Sequence, residues 1–220
     1  YLEGTPLHTT PRSPSQTAAL ARMAARITQG LQGFAHPEAR HILQWDIKQA
    51  AKLRPLLPAI PEDLRDLATA TLNRFDAEIA PQLPALRWQV VHNDLNPHNV
   101  LTAPGDPETI AGVLDFGDMV QTPLICDAAI AASYHIDPAA PMPSLLTFAR
   151  AYHAVLPLTP AELRAFPDLI ATRMLTTLAI TSARAVSYPE TAPYSLRNFA
   201  ASRDGLRALS ALPRAHLQTA

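Results

Sequence analysis

The sequence has a single cysteine. Cys126 can form no internal disulfide, and a thiol set in an apolar run reads as buried and without a redox task. Long hydrophobic runs are missing as well: no stretch of about 18 uncharged apolar residues could span a bilayer. Charge of one sign is nowhere concentrated, since 18 Lys and Arg face 19 Asp and Glu for a net charge of −1. The basic stripe of a nucleic-acid binder is therefore absent. Nucleic acid and membrane are set aside as partners, and a soluble, cytoplasmic setting is expected. The opening "YLEGTPLHTT" lacks an initiator Met, a basic n-region and an apolar h-region, and reads as part of something longer.

What is there is proline and helix. Twenty-two prolines stand against seven glycines, mostly at helix starts and in connectors, where a fixed φ costs little. At 220 residues one sizeable core is expected. "SPSQTAALARMAARITQGL" spaces Leu20, Met23, Ala24, Ile27 and Leu31 by threes and fours, with Ser13 as N-cap and Pro14 at N1. "HILQWDIKQAAKL" predicts a shorter helix, and "PEDLRDLATATLNRFDAEIAPQL" a long one with Leu64, Leu67, Leu72, Phe75 and Ile79 on one face.

The period then changes. "RWQVVH", "NVLTA" and "TIAGVLDFG" are short and β-branched, with turn material between them. Helices resume at Pro123, one of them opened by a capping box from Thr159 to Glu162. The fold class is α+β, mainly helical, with a small β-hairpin region: a linker over 1–12, helices over 13–86, the chemically loaded segment over 87–122, and helices over 123–220.

The loaded segment holds "VVHNDLNPHNVL", in which His92, Asp94 and Asn99 have the spacing His-x-Asp-x-x-x-x-Asn at a joint between two strands. Sixteen residues after Asn99 comes Asp115 in "LDFGD". Asn99 and Asp115 are oxygen donors suited to a hard cation such as Mg²⁺, which takes few protein ligands. Asp94 is then a spare carboxylate beside the metal, able to orient an alcohol and accept its proton during phosphoryl transfer.

"HNDLNPHNVL" followed by "LDFGD" resembles the catalytic loop and metal-binding segment of the aminoglycoside phosphotransferase and choline kinase-like family, small-molecule kinases of the protein-kinase-like fold. The loop is most similar to the hydroxylysine kinase and homoserine kinase-like branch. The resemblance implies an ATP- and Mg²⁺-dependent transfer of the γ-phosphoryl group to a hydroxyl of a small molecule: an amino alcohol, a hydroxy amino acid or an aminoglycoside. It implies Asp94 as base, Asn99 and Asp115 as metal ligands, and His92 as a loop brace. Leu101 would floor the adenine pocket, Leu2 and Glu3 would offer backbone groups to adenine, and Asp127 would brace the catalytic loop.

Asn96 stands where protein kinases have Lys, which fits a small-molecule kinase, and no activation segment ending in Ala-Pro-Glu follows Asp115. No glycine-rich loop or strand-borne Lys is found; Lys48 and Lys52 fall in a predicted helix after "YLEGTPL", which resembles the family's hinge between two lobes. The resemblance therefore implies a C-terminal lobe, inactive alone, whose partners would be an N-terminal lobe and, as in some members, a fused aminotransferase domain. The rival readings are a non-catalytic kinase-like binding module and a metal-dependent hydrolase with His92, Asp94 and Asp115 as ligands.

Other polar residues receive plainer expectations. His98 is a loop-bracing or solvent-facing residue, and Asp118 either meets a second metal or a substrate amine or caps the turn before "MVQTP". Trp45 is expected in the core and Asp46 on a solvated helix face, with an acceptor-pocket role as the alternative. Arg173 and Arg184, on a mostly apolar helix, are expected to make buried ion pairs to Asp residues of the loop.

Overall fold

The structure, a computed structural model, describes residues 2–213. Strand β1 (Thr5–Pro6) is followed by α1 (Pro14–Gly30), α2 (Glu62–Arg74), β2 (Trp88–Val91), β3 (Val100–Ala103), β4 (Asp106–Val113), β5 (Val120–Pro123), α3 (Leu124–Ser133), α4 (Pro141–His153), α5 (Pro160–Ser187), α6 (Ala192–Ser195) and α7 (Phe199–Ser210). The helices form the body. The strands make two small antiparallel sheets on it, one ordered β1-β3-β4 and one pairing β2 with β5.

Helix α1 starts as its sequence dictates: Ser13 Oγ accepts the Gln16 amide and Pro14 occupies N1. The helix expected in "HILQWDIKQAAKL" is instead a 3-10 run displaced to Ile47–Ala59. Pro55 and Pro58 lie inside it and lack the N–H that an α-helical ladder needs. Asp46 caps the run through the Lys48 amide, also accepts the Thr122 hydroxyl, and pairs with the Lys48 ammonium. It is buried, not solvated as expected. The long helix after Pro61 is α-helical only to Arg74, then continues as a π turn (Phe75–Ile79) and a 3-10 turn (Ala80–Ala85). The expected hairpin is present as β3–β4, while β1 and β5 were not legible.

Every residue of α3 is buried, and α5 packs against α3, α7 and the 3-10 run. The start of α5 is tied down twice. Thr159 and Glu162 make the reciprocal capping box, and the same Glu162 carboxylate, with no exposed side-chain area, takes Arg87 Nε at 2.8 Å and Nη2 at 2.6 Å. Glu162→Ala strands the Thr159 amide and the Arg87 fork together, so we expect a loss of about 2–4 kcal/mol in urea denaturation. A loss under about 1 kcal/mol would mean that the cap does not anchor this helix. Among the described residues no helix is long and apolar enough to cross a membrane.

Candidate active site

The loop between β2 and β3 is held open by backbone strain and side-chain ties. Asn93 adopts φ 65°, a left-handed conformation that Asn tolerates better than most residues. Its amide donates to Asp127 Oδ1 at 2.7 Å from the first turn of α3. Burial pushes the Asp127 carboxyl up to about 6, against the pull of His92 and the loop amides. The sign follows from linkage. A carboxyl raised above its ordinary value of 3.8 contributes stability that is present below that value and lost as pH rises through about 6. Asp127→Asn retains an acceptor for Asn93, so the variant should lose less stability than the parent between about pH 4 and pH 7. Parallel denaturant curves across that range would reveal it, and identical pH slopes would rule it out.

His92 is committed at both ring nitrogens. Nδ1 accepts the Asp94 amide at 3.2 Å, so Nε2 carries the proton and donates to the Leu114 carbonyl at 3.0 Å. Neither nitrogen is left for a metal, which removes the hydrolase ligand set. Among the described residues no group of three or more His, Cys, Asp or Glu could hold an ion.

Leu114 also donates its amide to the Asn99 carbonyl at 2.8 Å, one step beyond the pairing of Val100 with Val113. The hairpin thus carries Asn99, opposite Leu114, and Asp115 at its open end. Asp115 is exposed, stands at φ 61°, and accepts the Gly117 amide on Oδ1. The Asn99 amide nitrogen donates to Asp94 Oδ2 at 2.7 Å and to the Asp94 carbonyl at 3.0 Å, which turns its oxygen away from Asp94.

Asp94 is the point of convergence. Oδ2 also accepts Asn96 Nδ2 at 2.9 Å, and Oδ1 lies 3.5 Å from Arg173 Nη2. Asn96 is itself fixed, its oxygen accepting the His98 amide. Arg173 is fully buried, donates to the Trp45 carbonyl and the Tyr134 hydroxyl, and lies over both rings. Burial opposes its charge, but Tyr134, Asp94 and Asp118 hold its pKa above the ordinary value. The loop ion pair expected of Arg173 is present; that of Arg184 is not. Arg184 is exposed and stacks on Trp45.

Asp94 opens onto a cleft of about 140 Å³ shared with Trp45, Asp118, Thr177, Tyr194 and Arg197. Trp45 packs partly buried against the core, as expected, and also lines this cleft. Asp118 closes a 3-10 turn and faces the same cleft, with its carboxyl raised by burial and by Asp94 and drawn back by Arg173. His98 stacks on His8 with centroids 4.1 Å apart, and burial, His8 and Arg197 lower its pKa. Cys126 is buried, and burial pushes its thiol up.

At the other edge of the loop, Leu101 is buried and packs so closely on the chain at Gly4 that a Cβ there would lie 2.8 Å from Leu101 Cβ and from the Thr102 carbonyl. Leu2 covers Gly112 and stays half exposed, and Glu3 is exposed. The cleft wall formed by Tyr134 and by residues 194–198 was missed by sequence reasoning. No local signal marks it, whereas Arg173 was flagged by a charge in an apolar helix.

Comparison with known proteins gives this arrangement relatives. Residues 1–166 match the model of the phosphotransferase enzyme family. Hydroxylysine kinase of Bos taurus is 29% identical over 206 residues, covering 88% of this chain and 55% of that protein. Homoserine kinase of Methylobacillus flagellatus is 31% identical over 130 residues, covering 58% of this chain and 38% of that protein. The chain spans about half the length of the hydroxylysine kinases it matches. An aminoglycoside phosphotransferase from Alicyclobacillus acidocaldarius shares the fold, with a TM-score of 0.63 at 15% identity over 100% of this chain and 71% of that one. By the match to its sequence model, the chain belongs to the phosphotransferase enzyme family.

Proposed function

We propose that this chain carries the acceptor-side and metal-side half of a small-molecule kinase that moves the γ-phosphoryl group of ATP to an alcohol. The observation behind the proposal is the Asp94 carboxylate, oriented by Asn96, Asn99 and Arg173 and open to a cleft. In this reading Asp94 accepts the proton of the acceptor hydroxyl, and His92 and Asp127 fix the loop that carries it.

The donor set fits Mg²⁺: Asn99 turns an oxygen away from Asp94, and the exposed Asp115 follows Leu114, its partner across the open end of the hairpin. These two residues would hold the ion, which neutralises phosphate charge when bound. The apolar surface of Leu2, which covers Gly112 across from Leu101, and the backbone at Glu3 would receive the adenine. An N-terminal lobe would supply the glycine-rich loop and lysine that grip the phosphates.

The acceptor is a small hydroxyl compound bearing an amine, of the kind named by the relatives: hydroxylysine, homoserine or an aminoglycoside. The test is ATP consumption by the full-length protein with each acceptor in turn, with phosphorylated product confirmed by mass spectrometry. Nucleotide binding without turnover on any alcohol would favour the non-catalytic module.

A further inference from the structure

We propose that Arg184 and Arg197 form a carboxylate clamp in the acceptor cleft, so that the acceptor is a hydroxy acid and not a polycationic sugar. This rests on the phosphotransferase reading for its hydroxyl end and on the cleft itself for its anionic end.

Three guanidinium groups, those of Arg173, Arg184 and Arg197, line a cleft whose carboxylates, among the described residues, are those of Asp94 and Asp118. Arg173 is already matched to Asp94. Among the described residues neither Arg184 nor Arg197 makes an ion pair, yet each is set against an aromatic ring. Arg184 lies 5.3 Å from the Trp45 centroid and Arg197 lies 4.0 Å from that of Tyr194. Among the described residues neither of these two guanidinium groups donates a hydrogen bond, so each keeps N–H donors that can receive a carboxylate as a fork. Trp45 also carries Arg173 at 5.2 Å, so two cations share one ring, and three guanidinium groups face two carboxylates in the cleft. An anion would complete that arrangement, and a polycation would be repelled by it.

Neither Asn99 nor Asp115 lines this cleft itself, although Asn99 donates to Asp94 at its edge. Asp118, half-buried on the same wall, is placed to meet an amine on the acceptor. Hydroxyl at Asp94, amine at Asp118 and carboxylate at the arginines describe a hydroxy amino acid. One other anion could reach the arginines, namely the phosphoryl group in transit, and the experiment separates the two.

Full-length protein is assayed with 5-hydroxy-L-lysine against 1,5-diaminopentan-2-ol, the same molecule without its carboxylate, and with L-homoserine against 3-aminopropan-1-ol. Binding is measured in parallel by calorimetry. The carboxylated member of at least one pair should show at least about a tenfold higher kcat/KM, and Arg184→Gln or Arg197→Gln should erase about tenfold of that preference through KM. Equal use of both members, or a preference for an aminoglycoside, overturns the clamp. A loss of kcat that is the same for both members also overturns it and assigns the arginines to the phosphoryl group. If no alcohol is phosphorylated but the carboxylated member binds more tightly and Arg184→Gln removes the difference, the clamp stands and the phosphotransferase reading falls. If neither pair shows a carboxylate preference in binding or turnover, the clamp is wrong.

Discussion

Asp94→Asn in the full-length protein should lower kcat by about 10²–10⁴-fold while acceptor KM changes little. The substitution keeps the size of the side chain and removes its ability to take a proton. Both carboxylate oxygens face donors, Asn96 and Asn99 on one and Arg173 on the other. An amide can satisfy only one of those sides, so some loss will come from reorientation of the loop. A melting curve for the variant measures that share. Initial rates at saturating ATP are the decisive measurement. Activity within a few-fold of the parent would mean that Asp94 is not the base, and that the tight network around it only supports structure.

The parts of this site that were legible in the sequence are those built from neighbouring residues. His92, Asp94 and Asn99 sit on one loop, and the hairpin that carries Asn99 and Asp115 at its open end could be read from two short β-branched runs and the turn between them. Caps at Ser13 and Thr159 were legible for the same reason, because a cap closes within a few residues. What was not legible depends on distance in the chain. Asp46 looks like an ordinary helix residue until β5 brings Thr122 over it. Arg173 and Arg184 look alike in an apolar helix, yet one ends inside the body against Asp94 and the other at its surface on Trp45. Eleven residues, three helical turns, separate them; the packing of Tyr134 and Trp45 distinguishes them, and no periodicity records it.

Arg173→Met is the sharpest test of that packing. Met fills much of the space, but the Trp45 carbonyl and the Tyr134 hydroxyl lose their donor and Asp94 Oδ1 loses its cation. Breaking one side of a buried pair costs about 3 kcal/mol, so the variant should melt earlier. Stability alone would not show that Arg173 positions the base, so kcat is compared per folded molecule, well below the melting temperature. There we expect a fall of about 10²-fold, the size seen when a catalytic group is displaced by about 1 Å. The pH profile supplies an independent signature. Arg173 draws down the carboxyl of Asp118, which burial and Asp94 raise. Without that charge Asp118 takes up its proton at higher pH and loses its attraction for an amine-bearing acceptor. KM of the variant should therefore climb faster than that of the parent as the pH is lowered from 7. If kcat per folded molecule is unchanged and the two profiles run parallel, Arg173 only fills the interior, and the orientation of Asp94 rests on Asn96 and Asn99 alone.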